Sequence, residues 1–99
     1  LSEAQWKRGE RSVAKLLGGH RNPHDGSAAV DVETPLLAVE VKSRKELPAW
    51  IKAALSSARA KARRGQVGIV VLREHGARDA WVVMSLHDFA RRILPKGGG

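Results

Sequence analysis

Between Val30 and Lys42, charged and aliphatic side chains alternate on both sides of a Thr34-Pro35 turn signal, and no other segment restricts the fold as tightly. Side chains along a strand point alternately to opposite faces, so a slip of one residue in the pairing would set carboxylates against valines. Any even-length loop centred between Pro35 and Leu36 sets Asp31 opposite Glu40, Val32 opposite Val39 and Val30 opposite Val41. One face of the hairpin is then aliphatic. The other carries Asp31, Glu33, Glu40 and Lys42, with the opposed Asp31 and Glu40 Cβ atoms about 5 Å apart. Two carboxylates that close repel each other. A divalent cation between them removes the repulsion, and hard cations such as Mg²⁺ take carboxylate oxygens while keeping several waters. A half-exposed hairpin with its polar side in water produces the same alternation, so a third acid is needed to separate the two readings.

That acid is Glu10. Residues 2–17 read as a helix, with Ser2 and Gln5 at capping-box spacing and Gly18-Gly19 ending it. Its apolar positions are Trp6, Val13, Leu16 and Leu17, and at about 100° per residue Glu10 falls within the sector they bound. A carboxylate on the core-facing stripe needs a partner, either an Arg in a structural ion pair or a metal with its water shell.

An N-terminal helix carrying a Glu, an Asp on one strand and Glu-x-Lys on the next resembles the PD-(D/E)XK nuclease superfamily. Within it, Glu40-Val41-Lys42-Ser43-Arg44 together with the early Glu10 is similar to the archaeal and phage Holliday junction resolvases, over most of the chain. Val30 stands where the name-giving Pro often occurs, and the Asp31 to Glu40 interval is shorter than in many members. The resemblance implies a restriction-endonuclease-like α/β fold, a mixed central β-sheet flanked by helices with an α-β-β-β-α-β core, as one domain over residues 1–99. It implies hydrolysis of a DNA phosphodiester with Mg²⁺, and Mn²⁺ as a substitute. Asp31 and Glu40 would hold the metal with the Val41 carbonyl as a further ligand, and Glu10 would bind a second metal or its water shell. Lys42 would orient the attacking water or stabilise the transition state. A four-way junction is pseudo-two-fold and is cut on two strands, so branched DNA and a homodimer are the expected partners.

The remaining sequence suits that plan. Leu47-Pro48 opens a second helix expected to reach about Arg64, with Gly65 just past its end. Ile51, Ala54, Leu55, Ala58 and Ala62 share one face, thin enough to lie close to a sheet; Lys52, Ser56, Arg59 and Arg63 occupy the other side. Residues 67–72 form an almost continuous aliphatic run, the pattern of a central strand covered on both faces. A polar loop over 74–79 leads to a further strand over 80–84. Ser85 can cap a last helix whose stripe is Leu86, Phe89, Ala90 and Ile93, with Pro95 stopping it and 96–99 a loose tail. The 80–84 strand and the last helix offer an apolar strip for dimerisation.

Composition bounds the partners. The 99 residues carry a formal charge of +8 and no cysteine, which excludes disulfides and thiolate metal sites. Excess Lys and Arg favours a polyanion through phosphate neutralisation and counterion release. With no transmembrane run and no secretory signal, a cytoplasmic protein is the default, whether cellular or phage-encoded and acting in the host. Few exposed aromatics and no long amphipathic basic helix argue against a membrane surface. Around the acids, Lys7 and Arg11 on the first helix, Arg21, His24 and Ser27 in the following loop, and Ser43, Arg44 and Lys45 after the hairpin are the expected DNA contacts. His20 and His24 lie beside Gly19 and Pro23, which disfavours a helical zinc pair. The same residues admit two other functions: a related nuclease acting on duplexes, flaps or ends, and a non-catalytic basic nucleic-acid-binding domain.

Overall fold

The computed structural model describes residues 5–26 and 28–96, which form two compact units, one running to Lys45 and one starting at Glu46. The expected Ser2 cap, Ser27 and the last three glycines of the tail lie outside the described residues. Together the units form a small α/β arrangement of helices with two small antiparallel sheets.

In the first unit, helix α1 (Gln5–Leu17) buries Glu10 and Ala14, one turn apart on the same face. Gly18 takes φ 71°; the Gly19 N–H donates to the Ala14 carbonyl at 2.8 Å and the Gly18 N–H to that of Lys15 at 3.4 Å. This is a Schellman ending, and it reverses the chain within two residues. Strand β1 (His20–Arg21) therefore begins directly beneath α1, which packs on β1 and β2 (Val32–Glu33). A Cβ on Gly19 would sit 2.4 Å from the Glu33 carbonyl oxygen, so the entry to β1 is open only to glycine.

Strand β2 lies between β1 and β3 (Ala38–Val39), antiparallel to both. Its register pairs Val32 with Val39 and Glu33 with Ala38, as the alternation requires. Thr34 and Leu37 exchange backbone hydrogen bonds around Pro35-Leu36, and the Thr34 hydroxyl accepts from the Leu36 and Leu37 amides at 3.1 and 3.0 Å. Val32, fully buried at the middle of the sheet, and Ala14 are the buried apolar side chains among the described residues. The strands are shorter than the alternation suggests: Asp31 precedes β2, and Glu40 to Lys42 follow β3, outside the paired strands.

The second unit begins with α2 (Ala49–Lys61), entered through Pro48. It stops earlier than expected because Arg63 to Gln66 form a turn. The Gln66 N–H donates to the Arg63 carbonyl at 2.8 Å, the Arg63 N–H donates to Gln66 Oε1 at 2.8 Å, and Gly65 supplies φ 86°. Gly65 thus serves a tight turn rather than the helix end. Helix α2 packs on β4 (Val70–Arg73) at a close approach: a Cβ on the buried Gly68 would lie 2.6 Å from the Arg59 backbone. The small residues of α2 do lie against a strand.

Strand β4 pairs antiparallel with β5 (Ala80–Val83), Val70 opposite Val83 and Val71 opposite Val82. The aliphatic run is not covered on both faces. Val70 and Leu72 are half-buried while Ile69, Val71 and Val82 face outward, because a two-stranded ribbon offers one sheltered side. The pairings among the described residues are all antiparallel, where a mixed central sheet is expected. Ser85 caps α3 (Leu86–Asp88), its hydroxyl accepting from the Asp88 amide at 3.3 Å, and the chain continues as a π-helical turn over Phe89–Ile93. Trp6, Trp50 and Trp81 are all exposed, Trp81 to 76%, contrary to the expectation of few exposed aromatics.

Alanine at Gly68 forces helix and strand apart, and over-packing of this kind costs roughly 1–3 kcal/mol. Urea denaturation of Gly68→Ala followed by circular dichroism checks this. Ala53→Gly on the exposed side of α2 supplies the comparison, losing about 1 kcal/mol by helix propensity alone.

Candidate functional site

Glu10 enters the first unit from above, on the buried face of α1, with only 4% of its side chain exposed. A buried carboxylate must be compensated, and β1 and the loop after it supply the partners. Arg21 Nε donates to Glu10 Oε1 at 3.0 Å. His24 Nε2 lies 3.0 Å from both Oε1 and Oε2, within hydrogen-bond distance of each. Trp6, one turn before Glu10 on α1, stands edge-on to the imidazole, with centroids 4.8 Å apart and planes at 79°.

Asp31 approaches the same point from below. Its Oδ1 is 3.9 Å from His24 Nε2, and its Oδ2 accepts from the Val41 N–H at 2.8 Å. Asn22 holds the strand that presents it: the Asn22 N–H donates to the Asp31 carbonyl at 3.0 Å and Nδ2 donates to the Val30 carbonyl and Glu33 Oε1, each at 2.8 Å. Glu10, His24 and Asp31 thereby place three ligand-type atoms within 4.8 Å of one another.

The structure brings together Glu10 and Asp31 but leaves the other expected acid outside this group. Glu40 is exposed, and its Oε2 lies 3.6 Å from Lys42 Nζ, both side chains more than half in solvent. The opposed Asp31 and Glu40 do not share one point because the Asp31 carboxylate turns along the strand to the Val41 amide. Val41 contributes its N–H to Asp31. Two acids and an imidazole fit a divalent cation at Glu10, His24 and Asp31.

Of the expected DNA contacts, Arg21 is half-buried against the Glu10 carboxylate, and His24 contacts it while staying exposed. Lys7 lies over the Trp6 ring, its Nζ 5.4 Å from the centroid, and Arg11 is exposed on α1. Ser43 crosses α1 at Gly9, where a Cβ would meet its Oγ at 3.1 Å. Arg44 donates to the Ser43 carbonyl at 2.9 Å, and Lys45 is exposed. Sequence reasoning anticipated an Arg partner for Glu10 without identifying Arg21. The sequence points to His24 as a DNA contact, and no spacing pattern ties it to Glu10, 14 residues away.

No protein-family model matches the chain, and no curated protein or solved structure matches it either. No helix among the described residues is long and apolar enough to cross a membrane.

Arg21→Gln withdraws a charged donor from a buried carboxylate, a loss of roughly 1–3 kcal/mol. Lys42→Ala breaks an exposed pair, changing stability by less than about 1 kcal/mol. Chemical denaturation of the two variants side by side checks the contrast.

Proposed function

We propose that the chain is a metal-dependent DNA endonuclease acting on branched, four-way substrates, built on a restriction-endonuclease-like core. The observation that carries this reading is the convergence of Glu10 from α1 with Asp31 from the hairpin, beside a strand that continues into Glu40-Val41-Lys42. The element order α1-β1-β2-β3-α2-β4 and the charge of +8 support it.

Glu10 and Asp31 hold the cation, Mg²⁺ or Mn²⁺. When bound, it neutralises charge on the phosphoryl oxygens and makes water a stronger nucleophile. The chain's own residues set the geometry. Arg21 fixes one Glu10 oxygen, the Val41 N–H fixes one Asp31 oxygen, and Asn22 secures the strand between them. Lys42, exposed and paired loosely with Glu40, exchanges that partner for a phosphate oxygen when DNA arrives. Lys7, Arg11, Arg44 and Lys45 contribute sequence-independent backbone attraction. Two copies of the chain serve the two strands of a four-way junction.

A second reading has its own support. Glu10 is already satisfied by Arg21 and His24, and Glu40 stands in solvent, as in a basic binding module whose buried ion pair is structural.

End-labelled four-way junction and a linear duplex of the same arm sequence, each with Mg²⁺ and with EDTA, separate these readings. Paired, symmetric, metal-dependent nicks in the junction are expected, and Asp31→Asn should slow them by at least about 100-fold, since losing outer partners of a metal site alone costs 10–100-fold. Glu40→Ala, outside the cation site, should slow cutting less than Asp31→Asn while leaving binding unchanged. Equal cutting of both substrates would favour a general nuclease, and binding without cutting would leave the binding module.

A further inference from the structure

We propose that His24 is the third ligand of the Glu10–Asp31 site, and that the site takes a first-row divalent transition-metal ion in preference to Mg²⁺. This rests on the reading of Glu10 and Asp31 as metal ligands.

The two carboxylates are held in the same manner. Each has one oxygen anchored by a donor of the chain, Glu10 Oε1 by Arg21 Nε at 3.0 Å and Asp31 Oδ2 by the Val41 N–H at 2.8 Å. Glu10 presents both oxygens to His24 Nε2 at 3.0 Å, and Asp31 presents its other oxygen, Oδ1, at 3.9 Å. Anchoring the outer oxygen and leaving the inner one for an ion is how outer partners orient ligands. The separations also suit coordination. Around an ion with bonds near 2.1 Å, adjacent octahedral ligands are about 3.0 Å apart and opposite ones about 4.2 Å.

The imidazole is positioned rather than loose. Trp6 stands edge-on to it at 4.8 Å, so Nε2 is aimed at the carboxylates by a wall on α1. The His24 side chain is 44% exposed, which leaves an approach from solvent. Glu10 and Asp31 bring two carboxylates to one point, where a cation improves the local balance. On binding, the ring proton resides on Nδ1 and the Nε2 lone pair turns to the ion.

Ligand chemistry then selects the ion. Carboxylate and water suit Mg²⁺, whereas an imidazole nitrogen favours first-row transition metals. A set of one nitrogen and two carboxylate oxygens therefore discriminates against Mg²⁺, and His24 is the residue that does so.

Mn²⁺ alone, added to the full chain, tests this without DNA. Pulsed electron paramagnetic resonance should show ¹⁴N coupling from a directly bound imidazole, absent in His24→Ala and in His24→Gln. The same variants should bind Mn²⁺ at least about 10-fold more weakly in calorimetry, while their weak Mg²⁺ binding is little changed. Bound Mn²⁺ without ¹⁴N coupling would overturn the proposal, as would coupling or affinity that survives loss of His24. Failure to bind Mn²⁺ at all would overturn it together with the reading of Glu10 and Asp31 as ligands. Mn²⁺ held through His24 by a chain that cuts no DNA would sustain the ligand assignment and remove the nuclease reading. Cutting by His24→Ala in Mn²⁺ at the wild-type rate would do the reverse.

Discussion

A carboxylate placed under a helix dictates the construction of the first unit. Glu10 is nearly removed from water, and a charge so placed is tolerated only with donors around it. Arg21 and His24 supply them, and they reach it because Gly18 and Gly19 turn the chain back within two residues of the end of α1. Gly19 then slides past the Glu33 carbonyl without a side chain, which brings β1 alongside β2 and Arg21 beneath Glu10. Ala14 and Val32 provide little buried apolar mass, so this polar cluster specifies the packing of helix on sheet as well as its chemistry.

The same economy shapes the second unit. A strand can approach a helix closely only where side chains are small, and Gly68 meets the Arg59 backbone with no room for a methyl group. One face of the β4–β5 ribbon is thereby sheltered, and the other leaves Ile69, Val71 and Val82 outward. In the same unit Trp50 and Trp81 are also exposed, Trp81 on the ribbon itself.

The alternation between Val30 and Lys42 was enough to read the hairpin register, because a one-residue slip inverts both faces, and Val32 does pair with Val39. The buried position of Glu10 was legible from helical periodicity. The length of the strands was not, since Asp31 diverts its carboxylate to the Val41 amide and the ladder stops there. Gly65 reads equally as a helix stop or as the positive-φ corner of a turn, and the Gln66 bonds choose the turn. The aliphatic run before Arg73 suggested a strand covered twice over; residue type measures hydrophobicity, not how many partners arrive.

What sequence alone determined is therefore local: an acid on the inner stripe of α1, an acid paired in register across a hairpin from Glu40, and a basic chain around them. Periodicity and alternation suffice because they depend only on the geometry of one helix or one strand pair. Which acids meet was decided by the tertiary structure. Glu10 and Asp31 come together and Glu40 turns to Lys42, because the Schellman turn, the Gly19 contact and the Val41 amide set where each carboxylate ends. His24 joins them for the same reason. Its partners lie 14 residues away on a helix and 7 away on a hairpin, separations that carry no pattern in sequence and are closed only by folding.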